Sequence, residues 1–169
     1  PPDATDSTSA NPGYSFALLQ DREERVWVGS AGGGLYLYQP DKDTFRNFRP
    51  LRGDAHSLPD DFVTDMIEDR QGRLWIATRS GGIGVCRLDA ALDCRHISAG
   101  TGPRQISHDQ ITSLLEAPDD AIWAGTAGGG LNRLTLDATG NVANVQRWTR
   151  DEGLDDESVM AMVYAPDGA

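Results

Sequence analysis

The side chains able to do chemistry fall in two kinds of segment. One kind follows a tryptophan-bearing strand and holds Thr78, Arg79 and Ser80, with Thr126 at a matching place further on. The other holds His56, Ser57, Asp60 and Asp61, then Ser107, His108 and Asp109, then Asp155 and Asp156. Hydroxyls, imidazoles and carboxylates are the groups that hydrogen-bond sugar hydroxyls. A guanidinium pairs bidentately with a carboxylate or sulfate. Arg79 is singled out because Ala31 and Ala127 stand at its matching positions. Ligand contacts are therefore expected from Arg79, Thr78, Ser80, His56, Asp60, His108, Asp109 and Asp156. A histidine could also act as a general base. No Ser/His/Asp set or paired carboxylate occurs at a defined spacing, so no catalytic residue is expected. Asp61, Asp109 and Glu157 share one position, and three carboxylates could hold a hard cation. Short polar side chains at such places more often pin their own turns, so neither a metal nor a cofactor is expected. The glycine clusters AGGGL and SGGIG do not read as phosphate loops, because a phosphate loop opens a helix and here a strand follows.

The elements that must position these groups come from a repeat. Trp27, Trp75 and Trp123 are each separated by 48 residues. Self-similarity at that period marks a stack of supersecondary units. The copies are SFALLQDREERVWVGSAGGGLYLYQPD from Ser15, VTDMIEDRQGRLWIATRSGGIGVCRLD from Val63 and ITSLLEAPDDAIWAGTAGGGLNRLTLD from Ile111. A fourth begins at Val159. Each copy reads as four short strands, with Asp/Gly/Pro turns between them. The first are Val63–Glu68 and Ile111–Glu116. The second are Val26–Ser30, Leu74–Thr78 and Ile122–Thr126. The third are Leu35–Tyr38, Ile83–Leu88 and Leu131–Leu136. The fourth are Phe45–Phe48, Cys94–Ile97 and Val145–Trp148.

Four antiparallel strands per copy of this length is the blade of a β-propeller. The second strands lack clean alternation, as in a sheet buried on both faces. The fold class is all-β, a propeller sector of about three and a half blades. Residues 1–13 form a linker or the edge of a preceding blade. Blades 1, 2 and 3 span 14–62, 63–110 and 111–158, and 159–169 is the first strand of a truncated fourth. Trp27, Trp75 and Trp123 are expected to pack between blades. Two places on stand Gly29, Ala77 and Gly125, small enough to let adjacent sheets interdigitate. Gly33, Gly81 and Gly129 mark the turn after each second strand.

Bulk composition narrows the partners. The formal charge of −11 repels phosphate backbones and anionic membrane, so no nucleic acid is expected. Mean hydropathy is −0.45, and no apolar run approaches the roughly 18 residues of a membrane span. Cys86 and Cys94 could face each other across a hairpin or remain two free thiols. A disulfide would argue for an oxidising compartment. The opening PPDATDSTSANPG has linker composition and no signal peptide, and the sequence reads as starting within a longer protein.

The strings VWVGSAGGGL at Val26, LWIATRSGGI at Leu74 and IWAGTAGGGL at Ile122, trailed by LPDDFV at Leu58, ISHDQI at Ile106 and LDDESV at Leu154, resemble the two-component regulator propeller repeat. The resemblance covers nearly everything beyond residue 14. It implies the extracytoplasmic sensor of a bacterial signalling receptor, periplasmic in location. Such sensors typically hold two seven-bladed propellers in series, followed by a membrane helix and a kinase or diguanylate cyclase. It further implies an oligosaccharide ligand, a homodimeric receptor, and the remaining blades and signalling domain as partners. Seven blades at this period need about 340 residues, twice what is present. The expected function is ligand sensing without catalysis. The rival readings are a propeller lyase acting on polysaccharide or a cyclic peptide, and a protein–protein scaffold.

Overall fold

A computed structural model describes residues 14–88 and 91–165. Twelve strands form three separate four-stranded antiparallel sheets, each in simple sequence order. Blade 1 comprises β1 (Ser15–Gln20), β2 (Val26–Ser30), β3 (Leu35–Gln39) and β4 (Thr44–Phe48). Blade 2 comprises β5 (Val63–Glu68), β6 (Leu74–Thr78), β7 (Ile83–Leu88) and β8 (Leu92–Ile97). Blade 3 comprises β9 (Ile111–Glu116), β10 (Ile122–Thr126), β11 (Leu131–Leu136) and β12 (Val142–Trp148). The innermost strands β1, β5 and β9 adjoin one another in turn.

The hydrophobic core lies between the sheets. One cluster joins Trp27, Leu35 and Leu37 of blade 1 to Val63, Met66, Ile76 and Cys86 of blade 2. A second joins Trp75, Ala77 and Ile83 of blade 2 to Ile111, Leu114, Ile122 and Leu134 of blade 3. Full burial of an aliphatic side chain of this size contributes about 1.5–3 kcal/mol. Trp27 and Trp75 thus face the following blade, and the small residue two places on lets the sheets approach. A Cβ on Gly29 would stand 2.5 Å from Val63 Cγ1, and one on Gly125 would stand 2.7 Å from the carbonyl oxygen of Val159.

Polar groups lock these junctions. Asp69 is fully buried and accepts from the Trp75 indole at 2.8 Å and from Arg73 Nε at 2.5 Å. Asp21 does the same for Trp27 and Arg25, at 2.8 and 2.6 Å. Burial pushes the Asp21 carboxyl up, but these hydrogen bonds outweigh it and hold the group below its ordinary value. In blade 3 the matching positions are Ala117 and Ala121, and Trp123 instead stacks on Trp148 at 5.0 Å. Arginine backbones latch neighbouring turns: Arg22 N donates to Glu68 and Arg70 N to Glu116.

Two expectations need adjusting. The outer strands β4, β8 and β12 run longer than expected: Thr44, Leu92, Asp93, Val142 and Asn144 pair in their ladders, and Ala143 sits at a register shift in β12. Residues 159–165 form no strand, although Val159 N donates to Thr126 O at 2.9 Å. A strand needs a hydrogen-bonded neighbour, and among the described residues no second strand of a fourth sheet stands beside this segment. Residues 1–13 and 166–169, with the linker and part of the truncated blade assigned to them, lie outside the described residues.

Candidate functional site

Two loop classes share one end of the sector. The β2–β3, β6–β7 and β10–β11 turns meet the crossovers that lead into the next blade. Gly32 N and Gly34 N both donate to Asp61 O, at 3.0 and 2.8 Å. Gly128 N and Gly130 N do the same to Glu157 O, at 3.0 and 2.7 Å. Gly82 N donates to Asp109 O at 3.0 Å. Gly34, Gly82 and Gly130 have φ of 83°, 72° and 74°, and a Cβ there would collide with the carbonyl oxygens of Phe48, Ile97 and Trp148. Only glycine closes this turn. A Cβ on Gly81 would likewise meet the carbonyl of Pro59 at 2.7 Å, so the two loops touch backbone to backbone.

The turns consume several of the side chains expected at the ligand face. Thr78 is fully buried; its Oγ1 donates to Gly82 O at 2.7 Å and accepts from Gly81 N at 3.1 Å. Ser30 and Thr126 make the same pair of bonds in their own blades. Thr78 is therefore a staple, with no group left for a ligand. Asp60, His108 and Asp156 occupy one repeat position. Each accepts from the backbone N–H two residues on: Phe62 N at 3.2 Å, Gln110 N at 2.9 Å and Ser158 N at 3.0 Å. His108 Nδ1 thus stands in for a carboxylate oxygen, which fixes its proton on Nε2 and presents that donor from an exposed ring. Asp109 Oδ1 accepts from Ala99 N at 2.6 Å, Asp61 pairs with Arg49 at 3.0 Å, and Glu157 accepts from Arg150 N at 3.3 Å. Each of these three side chains thus binds within its own blade or crossover. Among the described residues, no group of three or more His, Cys, Asp or Glu is placed to hold a metal ion.

One cluster does form. Asp60 Oδ2 accepts from Ser80 N at 2.8 Å and from Ser80 Oγ at 2.5 Å. Beside it the exposed Arg79 lays its guanidinium over the Phe62 ring, 4.9 Å from the centroid. Arg79 forms no ion pair among the described residues, and the ring is its neighbour through a cation–π contact. Asp60, Phe62, Arg79 and Ser80 thus make a polar patch with an aromatic floor. Phe62 was missing from the sequence reading. It stands where Gln110 and Ser158 stand in the next copies, so the signal that singled out Arg79, a departure from the repeat, was available for it too.

His56 lies elsewhere. Its Nδ1 is 2.8 Å from Asp93 Oδ1 on β8, and Cys94 N donates to His56 O at 2.8 Å. The crossover around His56 therefore runs along the outer strand of blade 2 before residues 59–62 return to the loop face. Cys86 and Cys94, directly opposed in the β7–β8 ladder, form a buried disulfide with Cα atoms 4.0 Å apart. On the inner strand, Asp65 accepts from Met66 N at 2.8 Å and from Leu114 N at 2.7 Å, tying β5 to β9. Burial raises its carboxyl above the ordinary value, and the two backbone donors offset this in part.

The architecture and these turns match a known repeat. Residues 57–80 fit the sequence profile of the two component regulator propeller. The chain carries a two component regulator propeller repeat. That matched stretch includes Asp60, Phe62, Thr78, Arg79 and Ser80, so the patch belongs to the repeat's own loop face. No curated protein matches the sequence closely enough to count as a relative. Among solved structures, the chain is similar to the extracellular domain described as that of a hybrid two component system, BT4673, from B. thetaiotaomicron. There the TM-score is 0.71 at 18% identity, covering 98% of this chain and 22% of that one. A second such domain, BT3049 from the same organism, gives 0.67 at 20% identity over 85% of this chain and 18% of that one. Virginiamycin B lyase from Staphylococcus aureus gives 0.58 at 15% identity over 85% and 44%. The chain thus spans about a fifth of the length of the first two. At these identities the likeness is one of fold, a β-propeller. No helix among the described residues is long and apolar enough to cross a membrane.

Proposed function

We propose that this chain is a ligand-sensing sector of the periplasmic part of a bacterial transmembrane signalling receptor, and that its ligand is an oligosaccharide. The observation that carries the reading is the patch of Arg79 over Phe62 beside Asp60 and Ser80. An aromatic face, a guanidinium, a hydroxyl and a carboxylate within one exposed cluster are the groups that hold an anionic sugar. The patch sits on loops held by a rigid sheet, the usual place for recognition. The buried disulfide fits an extracytoplasmic compartment. Ligand contact would act by favouring one arrangement of paired sensors, limited to its differential affinity for the two. The sector itself is not an enzyme on this reading. The histidine that meets a carboxylate, His56 with Asp93, lies on the outer edge and away from the inner strands, where a propeller lyase would need it.

Calorimetry of a receptor ectodomain containing this segment, against a panel of neutral and uronate oligosaccharides, tests the proposal. Binding of an acidic oligosaccharide is expected. Arg79→Ala should weaken it about tenfold or more, the worth of a charged hydrogen-bonded pair. An affinity unmoved by Arg79→Ala overturns the patch, and silence across the panel overturns the glycan reading. Turnover of a polymer in the same panel would favour the lyase instead.

A further inference from the structure

Between the outer ends of blades 2 and 3 lies a cleft rich in arginine. Val85, Arg87, Asp93 and Arg95 share one side of the β7–β8 ladder. Val85 lies opposite Trp75, which packs against blade 3, so this side faces that blade. The facing wall is the β11–β12 turn, residues 137–141. The cleft has two chambers that share Val85, Arg95 and Gly140. The smaller, of about 70 Å³, also meets Arg73, Arg87, Asp93 and Thr139. The larger, of about 430 Å³, adds Arg104, Ser98, Asn141 and the apolar Val142, and no carboxylate lines it among the described residues. This concentration of cations stands in a chain whose formal charge is −11.

Most of that positive charge is left without a counter-ion. Asp69 balances Arg73, but Arg87 and Arg104 make no hydrogen bond or salt bridge among the described residues. Arg95 Nη1 donates to the neutral Asn141 Oδ1, which orients the guanidinium and leaves its charge intact. The carboxylates close by are engaged elsewhere. Asp93 meets His56 at 2.8 Å, and Asp137 Oδ1 accepts from Thr139 N, Thr139 Oγ1 and Asn141 N within its own turn. Gly140 has φ of 79°, and a Cβ there would stand 2.7 Å from Arg73 Nη1, so a side chain at 140 would press on the wall of the smaller chamber. Arg87 also departs from the repeat, which has Gln39 and Thr135 at its position.

We propose that this cleft binds a small phosphate or sulfate ester. The tetrahedral oxyanion sits in the smaller chamber between Arg87 and Arg95, and the carbon skeleton lies in the larger one beside Arg104. A chamber of about 70 Å³ suits a single oxyanion group, and guanidinium forks match its oxygens. The larger chamber falls in the range of about 300–1,000 Å³ usual for small-molecule sites. The site lies at a different blade junction from the Arg79 patch and does not depend on it.

Calorimetry of an ectodomain containing this segment tests the proposal, with glucose 6-phosphate, glucose 6-sulfate, glucose, inorganic phosphate and inorganic sulfate as probes. At least one ester should bind, and the tighter of the two names the acid. Glucose should be silent, and the inorganic anions should bind at least tenfold more weakly than the ester, because they leave the larger chamber empty. Arg87→Gln, which brings in the residue type of Gln39, should weaken the ester about tenfold, and Arg104→Ala should do the same. Arg79→Ala should leave it unmoved. Circular dichroism checks that each variant folds. Silence from both esters, an inorganic anion that binds as tightly as the ester, or an affinity unmoved by Arg87→Gln and Arg104→Ala overturns the proposal.

Discussion

At the scale of single residues, the carboxylate under each tryptophan decides most. Asp69 is fully buried and satisfies the Trp75 indole, the Arg73 guanidinium and two backbone N–H groups at once. Removing it strands a buried cation. Asp69→Ala is expected to cost about 3–5 kcal/mol, read by denaturant unfolding. The double variant Asp69→Ala with Arg73→Ala should recover part of that loss, because the charge leaves with its partner. Blade 3 is a natural precedent: Ala117 and Ala121 replace both members of the pair together, and Trp123 is freed to stack on Trp148. The sequence showed these positions but not their coupling. Asp21 and Arg25 read simply as turn residues until the indole nitrogen is seen pointing at them.

At the scale of elements, the strands were legible where they are buried and blurred where they are wet. β6 reads LWIAT and is buried at every position, so its type was plain. β12 carries Ala143 and Asn144 on a solvated edge, so its start was missed by three residues. The short 3-10 helix Arg150–Glu152 was also passed over. Thr149 and Glu152 form a capping box there, and the T-x-x-E spacing was present in the sequence. The ligand face was legible as a set of loops but not as a site. The repeat separates Thr78, matched by Ser30 and Thr126, from Ser80, which stands where Gly32 and Gly128 stand, but not what each side chain reaches, Gly82 O for Thr78 and Asp60 for Ser80, because the direction of a side chain at a turn is set by the backbone. The β7–β8 hairpin is pinned by its disulfide, left open in the sequence and settled by the direct opposition of Cys86 and Cys94. Replacing both cysteines by alanine should lower stability by about 2–3 kcal/mol, the chain-entropy value for so short a loop. Urea unfolding with and without reductant checks this: reductant should shift the wild type toward the variant and leave the variant unmoved.

At the scale of the whole molecule, the period fixed the architecture because one sheet cannot bury both of its faces alone. That is why three copies in register outweighed any single motif, and why a profile match over residues 57–80 agrees with sheets found across the whole described chain. The same arrangement leaves no interior belonging to any one sheet. Protection from solvent is shared between neighbours, so among the described residues it is richest in blade 2, which is packed on both faces. Amides of β6 and β7 should be the last to exchange with deuterium, those of β2 and β11 earlier, even though all four lie centrally within their sheets. Heating this 169-residue stretch on its own should then peel it from the flanks inward, as a hand of cards loosens from the outside while the middle one stays gripped.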